Sequence, residues 1–74
     1  SAGGLNALNV ILPGLPENFG PATIIGIHLA PDSRSLLSEI LIPKCRLPVR
    51  EPEDKEPVAG GTIYCASPGY HLLV

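Results

Sequence analysis

Apolar residues recur along the first fifteen positions at steps of three and four residues. The stripe comprises Leu5, Leu8, Ile11, Leu12 and Leu15. This spacing places apolar side chains on one face of an α-helix. Pro13 and Gly14 interrupt the pattern, and such residues end helices, so the sequence predicts a first helix that stops there.

The next apolar segment has a different pattern. Residues 22–29, ATIIGIHL, are short, rich in β-branched residues and apolar at both odd and even positions. This is typical of a strand buried on both faces, as in a parallel sheet covered by helices. Pro31 ends that strand, and Asp32 or Ser33 is expected to cap a second helix, which Pro43 stops. The apolar stripe of this helix is Leu36, Leu37, Ile40 and Leu41.

The C-terminal third predicts short strands separated by turn-rich segments. The strand candidates are residues 47–51, 62–66 and 71–74. The order helix, strand, helix and short strands is that of the α/β class. We therefore predict a fragment of a doubly wound, mostly parallel sheet with helices on both faces, a three-layer α/β/α arrangement. Its first strand is expected to lie upstream of Ser1.

Composition narrows the possible functions. The 74 residues carry a net charge of −2, and 45% are hydrophobic against 16% charged. The chain is too apolar for a disordered tail, and it lacks the basic stripe of a nucleic-acid-binding protein. No apolar run reaches about 18 residues, so membrane insertion is not expected. A chain this short buries only about 60% of its unfolded surface, which predicts a partial core with exposed apolar surface.

Cysteines and histidines are too few for a disulfide framework or a zinc site. Cys45 and Cys65 are expected to be free thiols in a reducing cytosol, with a single disulfide as the alternative. No metal and no cofactor is predicted. His71 is interpreted as structural, and the acidic run in residues 51–56 as a solvated loop.

Ser1 and His28 are the candidate catalytic residues. If a strand precedes Ser1, this serine and His28 both stand at the carboxyl ends of parallel strands about 4.8 Å apart, where open α/β sheets place their active sites. An imidazole can take the proton that makes a serine hydroxyl nucleophilic. Ala2, Gly3 and Gly4 would let a substrate approach the N–H groups that open the helix and stabilise an oxyanion. Serine before a helix is also a common N-cap, and histidine after an apolar strand is often structural.

Three stretches of the sequence resemble one known family. They are SAGG at residues 1–4, HLAP at residues 28–31 and LPVREPEDKEPVAGGTIYCASPGYHL at residues 47–72. Together they resemble the catalytic domain of chemotaxis protein-glutamate methylesterases, the CheB-type family. That family has Gly-Ala-Ser followed by a small residue and Gly-Gly, then Gln-His-hydrophobic-x-Pro, then a long LPVxEAxDG-type segment. The resemblance covers essentially the whole chain.

The resemblance implies a Ser-His-Asp triad with Ser1 as the nucleophile and His28 as the base. The third member, an Asp, would lie outside this chain. Residues 1–74 would then be a partial methylesterase catalytic domain that lacks its first strand and C-terminal half. The implied reaction is hydrolysis of glutamate methyl esters on the cytoplasmic helices of chemoreceptors, without a cofactor, during chemotaxis signal transduction. The fragment alone is expected to be inactive, and the parent protein in many members carries a receiver domain.

Departures from the family pattern keep two alternatives open. Ile27 stands where the family has Gln, residues 32–34 replace a Gly-Phe-Thr-like turn, and Lys55 replaces a Gly. These changes favour a non-catalytic, CheB-like signalling or docking module as the first alternative. The second is an N-terminal-nucleophile hydrolase, in which the free amine of Ser1 is the base.

Overall fold

The computed structural model describes residues 2–26, 31–66 and 72–73, and within them helices accompany a small parallel sheet. The elements in chain order are helix α1 (Ala2–Ile11), a 3₁₀ turn (Leu12–Gly14), strand β1 (Thr23–Gly26), helix α2 (Pro31–Leu41), strand β2 (Val49–Arg50) and strand β3 (Ile63–Ala66). The predicted α/β class is confirmed.

The sheet has the strand order β1-β3-β2, and both strand pairs are parallel. Ile25 of β1 lies opposite Cys65 of β3, and Val49 of β2 lies opposite Ile63. The carboxyl ends of all three strands therefore meet at one edge of the sheet, called the carboxyl edge below. β3 lies in the middle, and all four of its residues are buried.

The described part of the predicted strand at residues 22–29 is β1, and the described residues cover only one of its faces. Ile25 is only 6% exposed, whereas Ile24 is 49% exposed. Side chains alternate between the faces of a strand, and the apolar core covers only the face that carries Ile25. β1 is also an edge strand of the described sheet, and the strand that is buried on both faces is β3.

The apolar core joins the helices to one face of the sheet. Its buried members are Leu12, Ile25, Leu37, Leu41, Leu47, Val49, Ile63 and Cys65. From the predicted stripe of α2, Leu37 and Leu41 enter this core, whereas Leu36 and Ile40 are exposed. Adjacent helical residues differ by about 100° in direction, so only one residue of each neighbouring pair can face the sheet.

The first helical segment ends where the sequence predicts, whereas the start of α2 differs from the prediction. The helical segment that opens the chain finishes in the 3₁₀ turn at Gly14, as predicted, and Leu15 N donates to Leu12 O at 3.1 Å. The second helix begins at Pro31, so the prediction that Asp32 or Ser33 caps it is wrong. Proline is favoured at the first position of a helix. The backbone N–H that proline lacks would find no acceptor within the helix at that position.

The predicted strand at residues 71–74 is reduced to one bridge in the part described. Leu73 pairs with Pro57 in a parallel bridge outside the three-stranded sheet. Val58 N donates to Leu73 O at 2.7 Å, and Leu73 N donates to Glu56 O at 3.0 Å. His71, which was interpreted as structural, lies outside the described residues.

Two glycines hold the loop before β3 against the segment before β1. Gly61 N donates to Pro21 O at 3.2 Å, and Gly61 has a φ of 72°, which favours glycine. A Cβ atom at Gly60 would overlap the carbonyl oxygen of Gly20. The close approach of two backbones thus explains both glycines and aligns the entry of β3 with that of β1.

Several large apolar side chains of the described residues remain exposed, as the sequence predicted for a partial core. They are Val10, Ile11, Ile24, Leu36, Ile40, Ile42 and Leu73. The helices of the described part are all too short or too polar to cross a membrane. Both cysteines are free, as predicted.

Candidate active site at the carboxyl edge of the sheet

The two predicted catalytic residues, Ser1 and His28, lie outside the described residues, so their separation stays a prediction. The elements around them are described. α1 begins at Ala2, the residue after Ser1, and β1 ends at Gly26, two residues before His28. α2 begins at Pro31, so His28 stands in the sequence between the described ends of β1 and α2.

The chain leaves β1 at the carboxyl edge of the sheet. Gly26, Arg50 and Ala66 end the three parallel strands there. Open α/β sheets bind substrates at this edge, because the loops that follow the strands gather outside it. The described topology therefore agrees with the place where the sequence predicts chemistry.

The predicted oxyanion segment forms the first turn of α1. Ala2, Gly3 and Gly4 are its first three residues, and the two glycines are exposed. A Cβ atom at Gly3 would meet no atom of the chain within 4 Å, so packing does not require glycine at this position. Glycine inside a helix costs about 1 kcal/mol relative to alanine, and the first N–H groups of a helix have no intrahelical acceptor. Open space therefore lies beside Gly3 in this turn.

A hydrogen-bonded contact joins α2 to the end of β2. Ser35 Oγ lies 3.2 Å from Glu51 Oε1 and 3.3 Å from Glu51 Oε2, so its hydroxyl can donate to either carboxylate oxygen. Ser35 lies one turn after the start of α2, and Glu51 directly follows β2. The contact therefore fixes the beginning of α2 beside the carboxyl edge. Both residues are exposed.

The loop after β2 is also ordered by an ion pair. Arg50 Nη1 lies 3.0 Å from Glu56 Oε2, and Arg50 Nη2 donates to Glu56 Oε1 at 3.2 Å. The same Oε1 accepts from Glu53 N at 3.2 Å. The side chain of Glu56 is only 16% exposed. The interpretation of residues 51–56 as a solvated loop is therefore wrong for Glu56, whereas Glu51 is exposed.

Tyr64 anchors the far side of this loop. Its side chain is almost completely buried, and its hydroxyl oxygen accepts a hydrogen bond from Ala59 N at 2.8 Å. A buried tyrosine hydroxyl needs such a partner, and the bond fixes the loop against the middle strand.

The thiols belong to the core rather than to the candidate site. Burial raises the pKa of the Cys65 thiol, the neighbouring Ser38 hydroxyl lowers it, and the charges of Glu51 and Cys45 raise it. Burial also raises the pKa of Cys45, and Lys44 opposes this shift. A buried thiol with a raised pKa is a poor nucleophile, so these cysteines do not suit catalysis. Within the described ranges no three His, Cys, Asp or Glu residues are grouped to hold a metal ion.

Sequence reasoning missed the contact between Ser35 and Glu51. The two residues are 16 positions apart and follow no motif of a single element. The available signal was the position of Glu51 directly after a predicted parallel strand, because such positions face the carboxyl edge.

The parallel sheet and the helices of the described residues define a protein of the α/β class. The chain belongs to the CheB methylesterase family, which matches residues 1–74, that is, the whole chain.

Curated relatives and a solved structure agree with this assignment. A protein of Leptospira interrogans is 42% identical over 74 residues, which are 100% of this chain and 38% of that protein. A protein-glutamate methylesterase/protein-glutamine glutaminase of Caldanaerobacter subterraneus is 38% identical over 74 residues, which are 20% of its length. The CheB methylesterase catalytic domain of Thermotoga maritima superposes with a TM-score of 0.80 at 35% identity, over 92% of this chain and 35% of that domain. The chain thus spans less than two fifths of the length of these relatives.

Proposed function

We propose that the complete protein is a cytoplasmic serine hydrolase that removes methyl esters from glutamate side chains of chemoreceptors. The observation that carries this proposal is the family match over all 74 residues. The match includes SAGG at residues 1–4 and the segment with His28. Ester hydrolysis by a serine hydrolase requires a nucleophile and a base, and these two segments contain the candidates for them. The α/β fold and the position of the carboxyl edge support it.

In the proposed reaction Ser1 Oγ attacks the ester carbonyl carbon while His28 takes the hydroxyl proton. The tetrahedral intermediate collapses to an acyl-enzyme, and His28 returns the proton to the departing methoxide, which leaves as methanol. Water, deprotonated by His28, then hydrolyses the acyl-enzyme to the glutamate carboxylate and free Ser1. We expect the two side chains to lie within hydrogen-bonding reach, directly or through one water. An Asp outside this chain would orient His28.

The first turn of α1 is the proposed oxyanion site. The positive end of the helix dipole favours negative charge there. The open space beside Gly3 supports this role, because a substrate needs room to approach this turn. A missing oxyanion donor typically costs about 10²–10³ in kcat, so this turn is central to the proposal.

Hydrolysis of glutamine side-chain amides is a second candidate activity. Relatives such as that of Caldanaerobacter subterraneus carry protein-glutamine glutaminase in their names beside methylesterase. The same acyl-enzyme would form, with ammonia as the leaving group in place of methanol. Both reactions yield glutamate, so one site can serve both.

Replacing Ser1 or His28 in the complete protein tests the proposal. We expect Ser1→Ala and His28→Ala each to abolish most methanol release from methylated receptor without unfolding the protein. The double variant is expected to lose little more than either single variant, because triad members act as a unit. Retention of near-normal turnover by Ser1→Ala would reject the enzymatic role and favour a docking module. Residues before Ser1 in the complete protein would reject the N-terminal-nucleophile alternative, since Ser1 would then have no free amine.

A further inference from the structure

We propose that Glu51 is a positioning residue that holds the start of α2, and with it the connection that carries His28, through its hydrogen bond with Ser35. The inference rests on the proposed function, because it assigns a role in setting the geometry of the base. Ser35 and Glu51 are both exposed, and neither has another role in the proposed reaction.

The covalent distance between the contact and His28 is short. Ser35 lies one helical turn after Pro31, and His28 lies three residues before Pro31. Three extended residues span at most about 11 Å, so a shift at the start of α2 must be taken up close to His28. β1 holds the other end of the connection, because Gly26 pairs with Ala66 in the sheet. At the other end, the contact with Glu51 adds to the packing of Leu37 and Leu41, which holds α2 against the core.

The position of Glu51 suits this role. It follows Arg50, the last residue of β2, and β2 is held in the sheet by β3. Next along the loop, the ion pair between Arg50 and Glu56 restricts the backbone around Glu51. Glu51, which directly follows β2, thus accepts a hydrogen bond from a helix that begins three residues after His28 in the sequence.

The contact should matter more for activity than for stability. Both side chains are exposed, and exposed polar contacts of this kind contribute little to folding. A displacement of about 1 Å at a reacting group, in contrast, can cost about 10²-fold in rate.

Two pairs of matched variants in the complete protein test the role. We expect Ser35→Ala and Glu51→Ala each to lower kcat for methyl ester hydrolysis about tenfold with KM almost unchanged. Ser35→Thr keeps the hydroxyl donor and Glu51→Gln keeps an oxygen acceptor, so both should retain most of the activity. The double alanine variant should lose no more than either single one, because both remove the same bond. Glu39→Gln, an exposed change on the same helix, is the control and should remain normal.

Amide hydrogen exchange gives a readout that does not depend on activity. We expect Ser35→Ala and Glu51→Ala to speed exchange across residues 32–37 of α2, with the thermal midpoint and the exchange of β3 unchanged. Ser35→Thr and Glu51→Gln should exchange like the wild type.

The outcomes separate this inference from the proposed function. If Ser1→Ala abolishes hydrolysis but the Ser35→Ala and Glu51→Ala proteins keep a normal kcat, the positioning role is wrong and the proposed function stands. Unchanged exchange in α2 overturns the positioning role as well. The alanine variants could instead lose activity together with a lower thermal midpoint, while Ser35→Thr and Glu51→Gln fail to restore activity. That result would show a merely structural contact and would overturn the positioning role. A wild-type protein without hydrolase activity overturns the proposed function, and the inference fails with it.

Discussion

At the scale of single residues, Lys55 is the clearest departure from local preference. Its φ of 63° lies in the left-handed region, which costs a residue with a Cβ about 1–2 kcal/mol. Lys55 is the third residue of a turn that Glu56 N closes by donating to Glu53 O at 3.1 Å. Glycine is preferred at such a position of a turn, because it adopts positive φ without strain. The turn is therefore formed at a local cost.

Replacing this lysine by glycine should stabilise the protein. We expect Lys55→Gly to raise the free energy of unfolding by about 0.5–1 kcal/mol, because the relief of strain exceeds the added entropy of the unfolded chain. Chemical denaturation of the complete protein measures this change. Lys55→Ala is the matched control: it removes the charge and keeps the Cβ, so it should give no comparable gain. An equal gain in both variants would contradict the argument from backbone strain.

At the scale of elements, the contact between α2 and β3 contains polar atoms inside an apolar layer. Ser38 of α2 is 5% exposed, and its hydroxyl has no hydrogen-bond partner of good geometry among the described residues. It lies close enough to Cys65 of β3 to influence the thiol. The thiol is held neutral mainly because the surrounding core excludes water. This layer therefore suits an uncharged Cys65 and disfavours a thiolate.

The Cys65 thiol should give the folded state a pH dependence at alkaline pH. Its folded pKa is raised above that of the unfolded chain, so the unfolded chain loses this proton first. The contribution to stability is complete below about pH 9 and is lost as the pH rises through the folded pKa. We therefore expect the unfolding free energy of the wild type to fall, relative to that of Cys65→Ala, as the pH rises above about 9. Urea unfolding at several pH values measures this difference.

The less buried thiol provides the control for this experiment. Cys45 is half-buried and lies against the core rather than inside it, so Cys45→Ala should remove less of the alkaline dependence. A wild type and a Cys65→Ala variant that lose stability in parallel over this pH range would show that Cys65 does not carry the effect.

The elements also show what the sequence can predict. Periodicity and proline positions located both helices, because these signals are local. A β-branched run located β1, and short segments between turn-rich stretches located β2 and β3. Ile24 and Ile25 look alike in sequence, and only the strand order shows that β3 is central among the described strands. The contact between Ser35 and Glu51 was also out of reach, because it depends on how a helix packs beside a distant strand end. Ser1 and His28 remain predictions of the sequence and the family.

At the scale of the whole molecule, the described sheet leaves an edge without a strand partner. Within the described part, β1 pairs only with β3, so its other side presents unpaired backbone groups. Ile24 on this strand is 49% exposed, and further apolar side chains are exposed on α1 and α2. Open apolar strand edges are templates for pairing with other chains. Relatives are more than twice as long as this chain, which accords with a core that is only partly formed by these residues.

We therefore expect the 74 residues, expressed alone, to be unfolded or to self-associate. The buried apolar surface of so short a chain does not clearly exceed an ordering cost of about 1.5 kcal/mol per residue. Sedimentation velocity over a range of concentrations measures the association. Ile24→Lys places a charge on the edge strand and should reduce association, because charged side chains block pairing at strand edges. Val10→Lys changes an exposed apolar residue of α1 and is the matched control, which should associate like the wild type. If the unmodified peptide were a monomer with a cooperative thermal transition, these residues would form a sufficient core by themselves and the open edge would not control their behaviour.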